Sequence, residues 1–327
     1  MKAIVVTAPC STEELVPVDV PSPEMGPEQV RIDVYATALN RADLLQRRGK
    51  YPPPKGESDI LGLECSGVVR EVGTAVSRVK PGDRVMSLLA AGGYAEEVVV
   101  HQAMAIPVPS QLSLVEAAAI PEAFLTAREG LFTLGRLQPQ QRVLVHAAAG
   151  GVGSAAIQLA KACGAEVFAT ASGGKLEFVK SLGTDVAVDY KTQDFAAVIA
   201  ERTEKRGVDV VLDFIGATYF ELHTKCLAVG GRLVIIGVMG GPSVTLNLGA
   251  LLFKRHQILG LVMRARPLAE KIAITRAFER ESLPLFAQGL LHPIVDSVFE
   301  FSDAGRAHKR MENNENIGKI VLRVRTE

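Results

Sequence analysis

Hydrophobic and polar positions along the chain keep two different rhythms. Up to about residue 120, short runs alternate apolar with polar: "EQVRIDVYATAL", "GLECSGVVREVG", "KPGDRVMSLL" and "GGYAEEVVVH". Glycines and prolines cut between them, which is the signature of short strands in a β-rich barrel or sandwich. From about residue 143 the strand candidates become near-continuous apolar runs, VLVH, EVFAT, DVAVDY, VDVVLDF and GRLVIIGV, alternating with helical stretches at 152–163, 175–182, 194–204 and 219–227. Strands buried on both faces read this way, and parallel strands need a crossover helix between them. The second rhythm predicts a βαβ series, ended near residue 262 by one more apolar strand, "QILGLVM". An amphipathic helix in "AEKIAITRAFERESLPLF", a helix in "SDAGRAHKRMEN" and a last strand in "GKIVLRV" follow. The expected class is α/β, with a β-rich domain over 1–120, a doubly wound parallel-sheet domain over 121–262, and a tail, 263–327, that returns to the first domain.

The change of rhythm falls at "VLVHAAAGGVGSAAIQLAK", an apolar strand running through a glycine turn into a helix. This is the layout of a dinucleotide fingerprint, in which glycines let the backbone approach a pyrophosphate and let the helix pack close to its strand. Ala148 stands where the first glycine is expected, and Gly150 and Gly153 keep the other two places. The amides of Gly151 to Ser154 start a helix whose N-terminus carries partial positive charge, a natural anion site, and Ala149, Gly150, Gly151, Val152 and Gly153 are the candidate cofactor-binding residues of the turn. After the second strand an NAD site offers Asp or Glu to the ribose hydroxyl. This chain has "TASGGK" there. Ser172 and Lys175 suit a 2′-phosphate instead, so the expected cofactor is NADPH.

Charge and cysteines narrow the classes. Lys plus Arg and Asp plus Glu number 36 each in 327 residues, leaving no net field to attract nucleic acid or an anionic membrane. The four cysteines, Cys10, Cys65, Cys163 and Cys226, have neither zinc-cage nor disulfide-framework spacing. No stretch of about 18 apolar residues is present to span a bilayer, and the N-terminal "MKAIVVTAPC" lacks the apolar centre of a signal peptide. A cytoplasmic protein with reduced thiols is expected. His146 ends a buried strand and reads as a core residue, and His101, His223, His256, His292 and His308 make no ligand spacing.

Taken together, "ALNRADLLQRRGKYPPP", "LGLECSGVV", "AAAIPEAFLTA", "HAAAGGVGSAAIQLAK" and "NIGKIVL" resemble the zinc-independent quinone oxidoreductase branch of the medium-chain dehydrogenase/reductase superfamily. The similarity spans the chain. Through "NRADL" and "YPPP" it resembles the tumour-suppressor-inducible NADPH:quinone oxidoreductase type, although that type carries Ser where this chain has Gly150. The resemblance implies a GroES-like catalytic domain, a Rossmann domain and a homodimer. It places Asn40 and Thr126 beside the nicotinamide, Gly237, Met239 and Asn316 over the cofactor, and Tyr190 at the adenine ribose phosphate. Zinc-dependent members hold their metal at the positions of Asn40, Leu63 and a cysteine near Ala123. No zinc ligand stands at the first two, and the third segment has no cysteine, so no metal is expected.

Without a Lewis acid an alcohol is hard to ionise, whereas a quinone carbonyl is already activated by conjugation. Tyr51 in "GKYPPP" is the candidate donor to that carbonyl, with Asn40 as its catalytic companion. The leading expectation is therefore an NADPH-dependent quinone reductase. Reduction of the C=C bond of an enone or enoyl thioester is the alternative enzyme reading, and a non-catalytic NADPH-binding, structural or RNA-binding protein is the alternative outside enzymes.

Overall fold

The alternating stretch "QVRIDVYATA" forms a strand, Gln29–Ala38, whose even positions Val30, Ile32 and Val34 are buried and whose last three residues are buried together. Around it the computed structural model, which describes residues 1–326, builds a seven-stranded sheet. Its order is Val295–Glu300, Lys319–Arg323, Gln29–Ala38, Glu64–Val72, Arg84–Leu88 and Ile106–Pro107, with Glu97–His101 also pairing Gln29–Ala38. The "GKIVLRV" strand lies antiparallel to Gln29–Ala38, with Val321 opposite Ala38. The two ends of the chain thus share one sheet and one core, where Ile320, Leu322 and Met311 pack with Ile4, Leu39, Leu44 and Tyr94. By contacts this unit comprises Met1–Leu125 and Met263–Glu327.

The second unit, Thr126–Val262, holds a six-stranded parallel sheet. Its order is Val186–Asp189, Glu166–Ala171, Arg142–Val145, Val208–Asp213, Leu227–Ile235 and Gln257–Gly260. The strand order reverses at Arg142–Val145, whose neighbours run outward on either side, and that switch point is where open α/β sheets bind ligands. The crossover helices are Gly151–Ala162, Leu176–Ser181, Phe195–Arg202, Phe220–Cys226 and Leu248–Lys254.

Several boundaries differ from the sequence expectation. The division between units falls after Leu125 instead of residue 120; helix Pro121–Arg128 begins in the first unit, where Phe124 packs edge-on against Phe286 at 4.8 Å. The single amphipathic helix expected after residue 268 is two, Leu268–Glu281 and Leu283–Ala287, because Pro284 fits the first turn of a new helix and not the interior of a continuing one. The fifth strand of the series begins at Leu227, earlier than "GRLVIIGV" suggests.

Leu322 is fully buried in a core drawn from both ends of the chain. Leu322→Ala is expected to destabilise the protein by about 2–5 kcal/mol, read as a shift in the urea midpoint of an otherwise cooperative transition.

Candidate functional site

In the Thr126–Val262 unit the candidate cofactor residues gather at one edge of the sheet, because all six strands are parallel and end on the same side. Ala149–Gly153 follow Arg142–Val145; Ser172 and Lys175 follow Glu166–Ala171; Tyr190 follows Val186–Asp189; Gly237 and Met239 follow Leu227–Ile235. The glycine turn solves its missing first glycine locally. Ala147, not Ala148, takes the left-handed conformation (φ 47°), and Ala148 is fully buried, its amide donating to the Thr170 carbonyl at 3.1 Å. Gly153 is obligatory for packing, since a Cβ there would lie 2.4 Å from the Ala147 carbonyl oxygen. Gly150 caps helix Gly151–Ala162 in extended conformation without a side-chain acceptor, which leaves the first-turn amides open to an anion. Thr126 adds a buried hydroxyl with no partner among the described residues. Open amides and an orphaned hydroxyl fit a dinucleotide.

Two features of this unit were not legible in the sequence. A Cβ built on Gly173 would lie 2.8 Å from Asp189 Oδ2, so a carboxylate from the neighbouring strand stands beside Ser172 and Gly173. The expectation that no acid stands at that edge looked along one strand only. The second feature is a buried histidine pair. His146 Nδ1 meets Thr170 Oγ1 at 2.8 Å and its Nε2 meets His223 Nε2 at 2.9 Å, so one ring donates and the other accepts. Burial holds both rings neutral, His223 pushed down to about 3. Asp213 beyond them is raised to about 6 by burial while accepting from the amides of Ile215 (2.8 Å) and Gly216 (3.0 Å).

The other unit gathers a polar cluster around Asn40. Strand Gln29–Ala38 delivers Asn40 to the start of helix Arg41–Arg47, and the Asn40 amide nitrogen donates to Asp43 Oδ2 at 2.7 Å. Lys319 enters from the last strand, fully enclosed, and its ammonium donates to Leu39 O (2.6 Å), Asn40 Oδ1 (2.7 Å) and Glu64 Oε1 (2.7 Å). Asn40 Nδ2 donates to Glu64 Oε1 (2.9 Å) and Ala38 O (3.2 Å). A lysine only donates and a carboxylate only accepts, so the Asn40 amide has one possible orientation and both its hydrogens are used. Glu64 Oε2 accepts from the Glu122 amide at 2.8 Å. Lys319, Asp43 and Glu122 were not among the candidates from sequence, because a lysine in a strand and acids at helix starts look solvated when read locally.

Tyr51 lies under Arg264, whose guanidinium carbon stands 5.2 Å from the ring centre. Arg264 is buried and donates to Tyr51 O (3.1 Å), Ala90 O (2.7 Å) and Gln46 Oε1 (2.5 Å), so it fixes the "YPPP" loop by its backbone. Burial raises the Tyr51 phenol above its ordinary range, keeping it a donor. Asn316, nearly buried, donates to Gly318 O at 2.8 Å in the same unit.

Residues 26–110 match the alcohol dehydrogenase GroES-like domain family and 151–279 the zinc-binding dehydrogenase family. The chain is 35% identical over 315 residues to the human synaptic vesicle membrane protein VAT-1 homolog, covering 92% of this chain and 80% of that protein. The chain belongs to the medium-chain dehydrogenase/reductase superfamily. It is also 36% identical to part of the phenolphthiocerol synthesis polyketide synthase type I Pks15/1 of Mycobacterium marinum, over 90% of this chain but only 14% of that protein's length. Among solved structures, the quinone oxidoreductase of Pseudomonas syringae pv. Tomato DC3000 superposes with TM-score 0.89 at 31% identity, each chain 99% covered. The CurK enoyl reductase gives 0.88 at 32%, with 98% of each chain covered. An NAD-dependent alcohol dehydrogenase gives 0.86 at 35%, covering 99% of this chain and all of the other. The chain is thus an oxidoreductase of a family that uses a nicotinamide cofactor, and the three solved proteins are named for different acceptors.

The name of the second family raises zinc directly. The donor chemistry here does not fit it: Asn40 offers a neutral amide already engaged, Leu63 is a buried aliphatic residue, and Glu64 faces an ammonium. Among the described residues no group of three or more His, Cys, Asp or Glu is arranged to hold a metal.

Removing the ammonium leaves Glu64 as a buried carboxylate facing only neutral donors. Lys319→Met is expected to cost about 3–5 kcal/mol, and adding Glu64→Gln should recover part of it. Urea unfolding of both variants and of Glu64→Gln alone closes a double-mutant cycle; a coupling near zero would mean the pair contributes nothing.

Proposed function

We propose that this chain is an NADPH-dependent reductase of quinones that works without zinc, of the tumour-suppressor-inducible type. The observation that carries this reading is the closed Lys319–Glu64–Asn40 network, which fills the region where zinc-dependent members need open ligands. Acceptors whose carbonyl is already electrophilic suit such a site. The bound nicotinamide supplies a hydride. The uncapped turn at Ala149–Gly153 binds its pyrophosphate, Thr126, Gly237, Met239 and Asn316 hold the nicotinamide half, and Asn40 keeps Lys319 and Glu64 in register. Tyr51, pinned by Arg264, donates to the substrate oxygen as negative charge develops there. Free thiols at Cys10, Cys65, Cys163 and Cys226 fit a cytoplasmic setting, and among the described residues no helix is long and apolar enough to cross a membrane. The likeness to an enoyl reductase favours a second reading, C=C reduction in an enone or enoyl thioester.

Cofactor choice rests on Ser172, Lys175 and the exposed Tyr190 set against Asp189. A charge-assisted hydrogen bond to the 2′-phosphate is worth about 1.5–3 kcal/mol, roughly ten- to a hundredfold in affinity. We expect the protein to oxidise NADPH with 1,2- or 1,4-quinones faster than with 2-alkenals. Lys175→Ala should raise KM for NADPH at least about tenfold and leave that for NADH nearly unchanged. Faster turnover of alkenals would favour the second reading, turnover of neither would favour a binding protein, and equal use of both cofactors would reject the phosphate assignment.

A homodimer through the second unit is part of this reading. Strand Gln257–Gly260 is the last of its sheet, and the preceding helix exposes Leu248 (68%), Leu252 (72%) and Phe253 (84%). An apolar edge of this kind is normally covered. Light scattering is expected to give a dimer at micromolar concentration and a monomer for Phe253→Asp combined with Ile258→Lys; a monomeric wild type would reject it.

A further inference from the structure

Hydride addition to a quinone leaves an oxygen anion, and the product needs one proton. Most acids of the Asn40 cluster are closed off by burial. Asp43 and Tyr94 are fully buried, facing each other at 3.4 Å, and Tyr94 also meets His308 Nε2 at 3.2 Å. Glu64 is fully buried with both oxygens engaged. Tyr51 is half-buried, but a phenol pushed above its ordinary range gives a hydrogen bond and keeps its proton.

Glu122 differs on each count. It keeps part of its surface open, and among the described residues its carboxyl makes no hydrogen bond or ion pair. It stands on the first turn of helix Pro121–Arg128, fixed by its own amide on Glu64 Oε2. Arg264, which stacks on Tyr51 and is tied to Gln46 of helix Arg41–Arg47, is among the charges that act on Glu122, and Asn40 at the start of that helix donates to Glu64, on which the Glu122 amide is fixed.

We propose, resting on the reductase reading, that Glu122 is the acid that gives the reduced substrate its proton while Tyr51 holds the substrate oxygen. On a quinone the hydride would form an O–H bond on one carbonyl oxygen, the electrons of that C=O bond would move into the ring, which becomes aromatic, and the pair of the other C=O bond would move onto its own oxygen, the one Tyr51 holds. The Glu122 O–H bond breaks, an O–H bond forms on the product, and water returns a proton to the carboxylate. Quinone, hydride and proton sum to hydroquinone. On an enone the same acid would protonate the carbon beside the carbonyl.

The surroundings keep that proton in place at neutral pH. Burial, then the negative charge of Glu64, raise the carboxyl to about 8. Asp43 from helix Arg41–Arg47 pushes the same way, and Lys319 from the last strand and Arg264 oppose it. Lys271, buried on helix Leu268–Glu281, also feels Glu122, as does Tyr51.

The test uses the full-length protein with NADPH and the quinone panel, together with ¹³C NMR of glutamate-labelled protein, the Glu122 signal being assigned by its loss in E122Q. We expect kcat/KM to be level below about pH 8 and to fall above it, because the acid is spent once ionised. Glu122→Gln should lower kcat/KM by about 10²–10⁴-fold and remove the falling limb, with Glu122→Asp restoring part of both. NADPH affinity by fluorescence should be unchanged. The NMR signal should report a protonated carboxyl at neutral pH, a readout that needs no turnover and no variant stability. A carboxyl ionised at neutral pH, or an E122Q protein of wild-type rate and profile, overturns the assignment while the reductase reading stands. Wild type inactive with every acceptor overturns both.

Discussion

A lysine ammonium has three hydrogens to give, and in Lys319 all three are taken, by Leu39 O, Asn40 Oδ1 and Glu64 Oε1. The partners come from the N-terminal part of the chain and the lysine from its last strand. Burying such a pair is tolerable only when every donor is matched, because a buried ion pair with a loose end is a net cost. The same contact fixes the register in which Lys319–Arg323 lies along Gln29–Ala38, since Lys319 reaches Leu39 only when Val321 stands opposite Ala38. Core residues Ile320 and Leu322 follow from that register, as a slip by one residue would turn them to the other face.

The charge of Glu64 is neutralised at one oxygen and felt through the other. Lys319 sits on Oε1, and Oε2 faces the start of helix Pro121–Arg128. That asymmetry gives two neighbouring glutamates different surroundings. Glu64 lies against the Lys319 ammonium, while Glu122, one amide away, has no cation in contact among the described residues and sees Glu64 as a like charge. Asp43 is raised to about 6 by burial in the same setting, although the Asn40 amide and Lys319 pull it back.

What the sequence displayed was local. The βαβ rhythm, the glycine turn and the strands of the first unit follow from side-chain period and from where glycine and proline fall, and those signals are complete within about ten residues. The tail's place in the first sheet was visible as a last apolar strand without a partner nearby. The polar cluster was not. Asn40, Glu64, Glu122 and Lys319 meet across the whole chain, and each alone looks ordinary: a helix cap, a strand end, a helix start, a lysine between Gly318 and Ile320. Asp189 was missed for the same reason, since it neighbours Gly173 through sheet pairing of Asp189 with Ala171. Pattern finds elements; the pairing of elements decides which charges meet.

A saturated ammonium and a metal ion differ in what they lend a substrate. Zinc with an open position takes the substrate oxygen as a ligand and polarises it directly. Lys319 has no hydrogen left, so its charge acts only through Glu64 and Asn40, which it holds still. On the proposed reading, the electrophilicity that a metal would confer must then be present in the substrate, and the enzyme's remaining tasks are to orient it and to manage one proton. Conjugated carbonyls meet that condition, and simple ketones do not. The burden the proposal puts on the side chains is correspondingly light: a phenol under Arg264 to hold an oxygen, and a carboxyl kept neutral by burial to give the proton. On that reading, such a site selects acceptors by reactivity before shape.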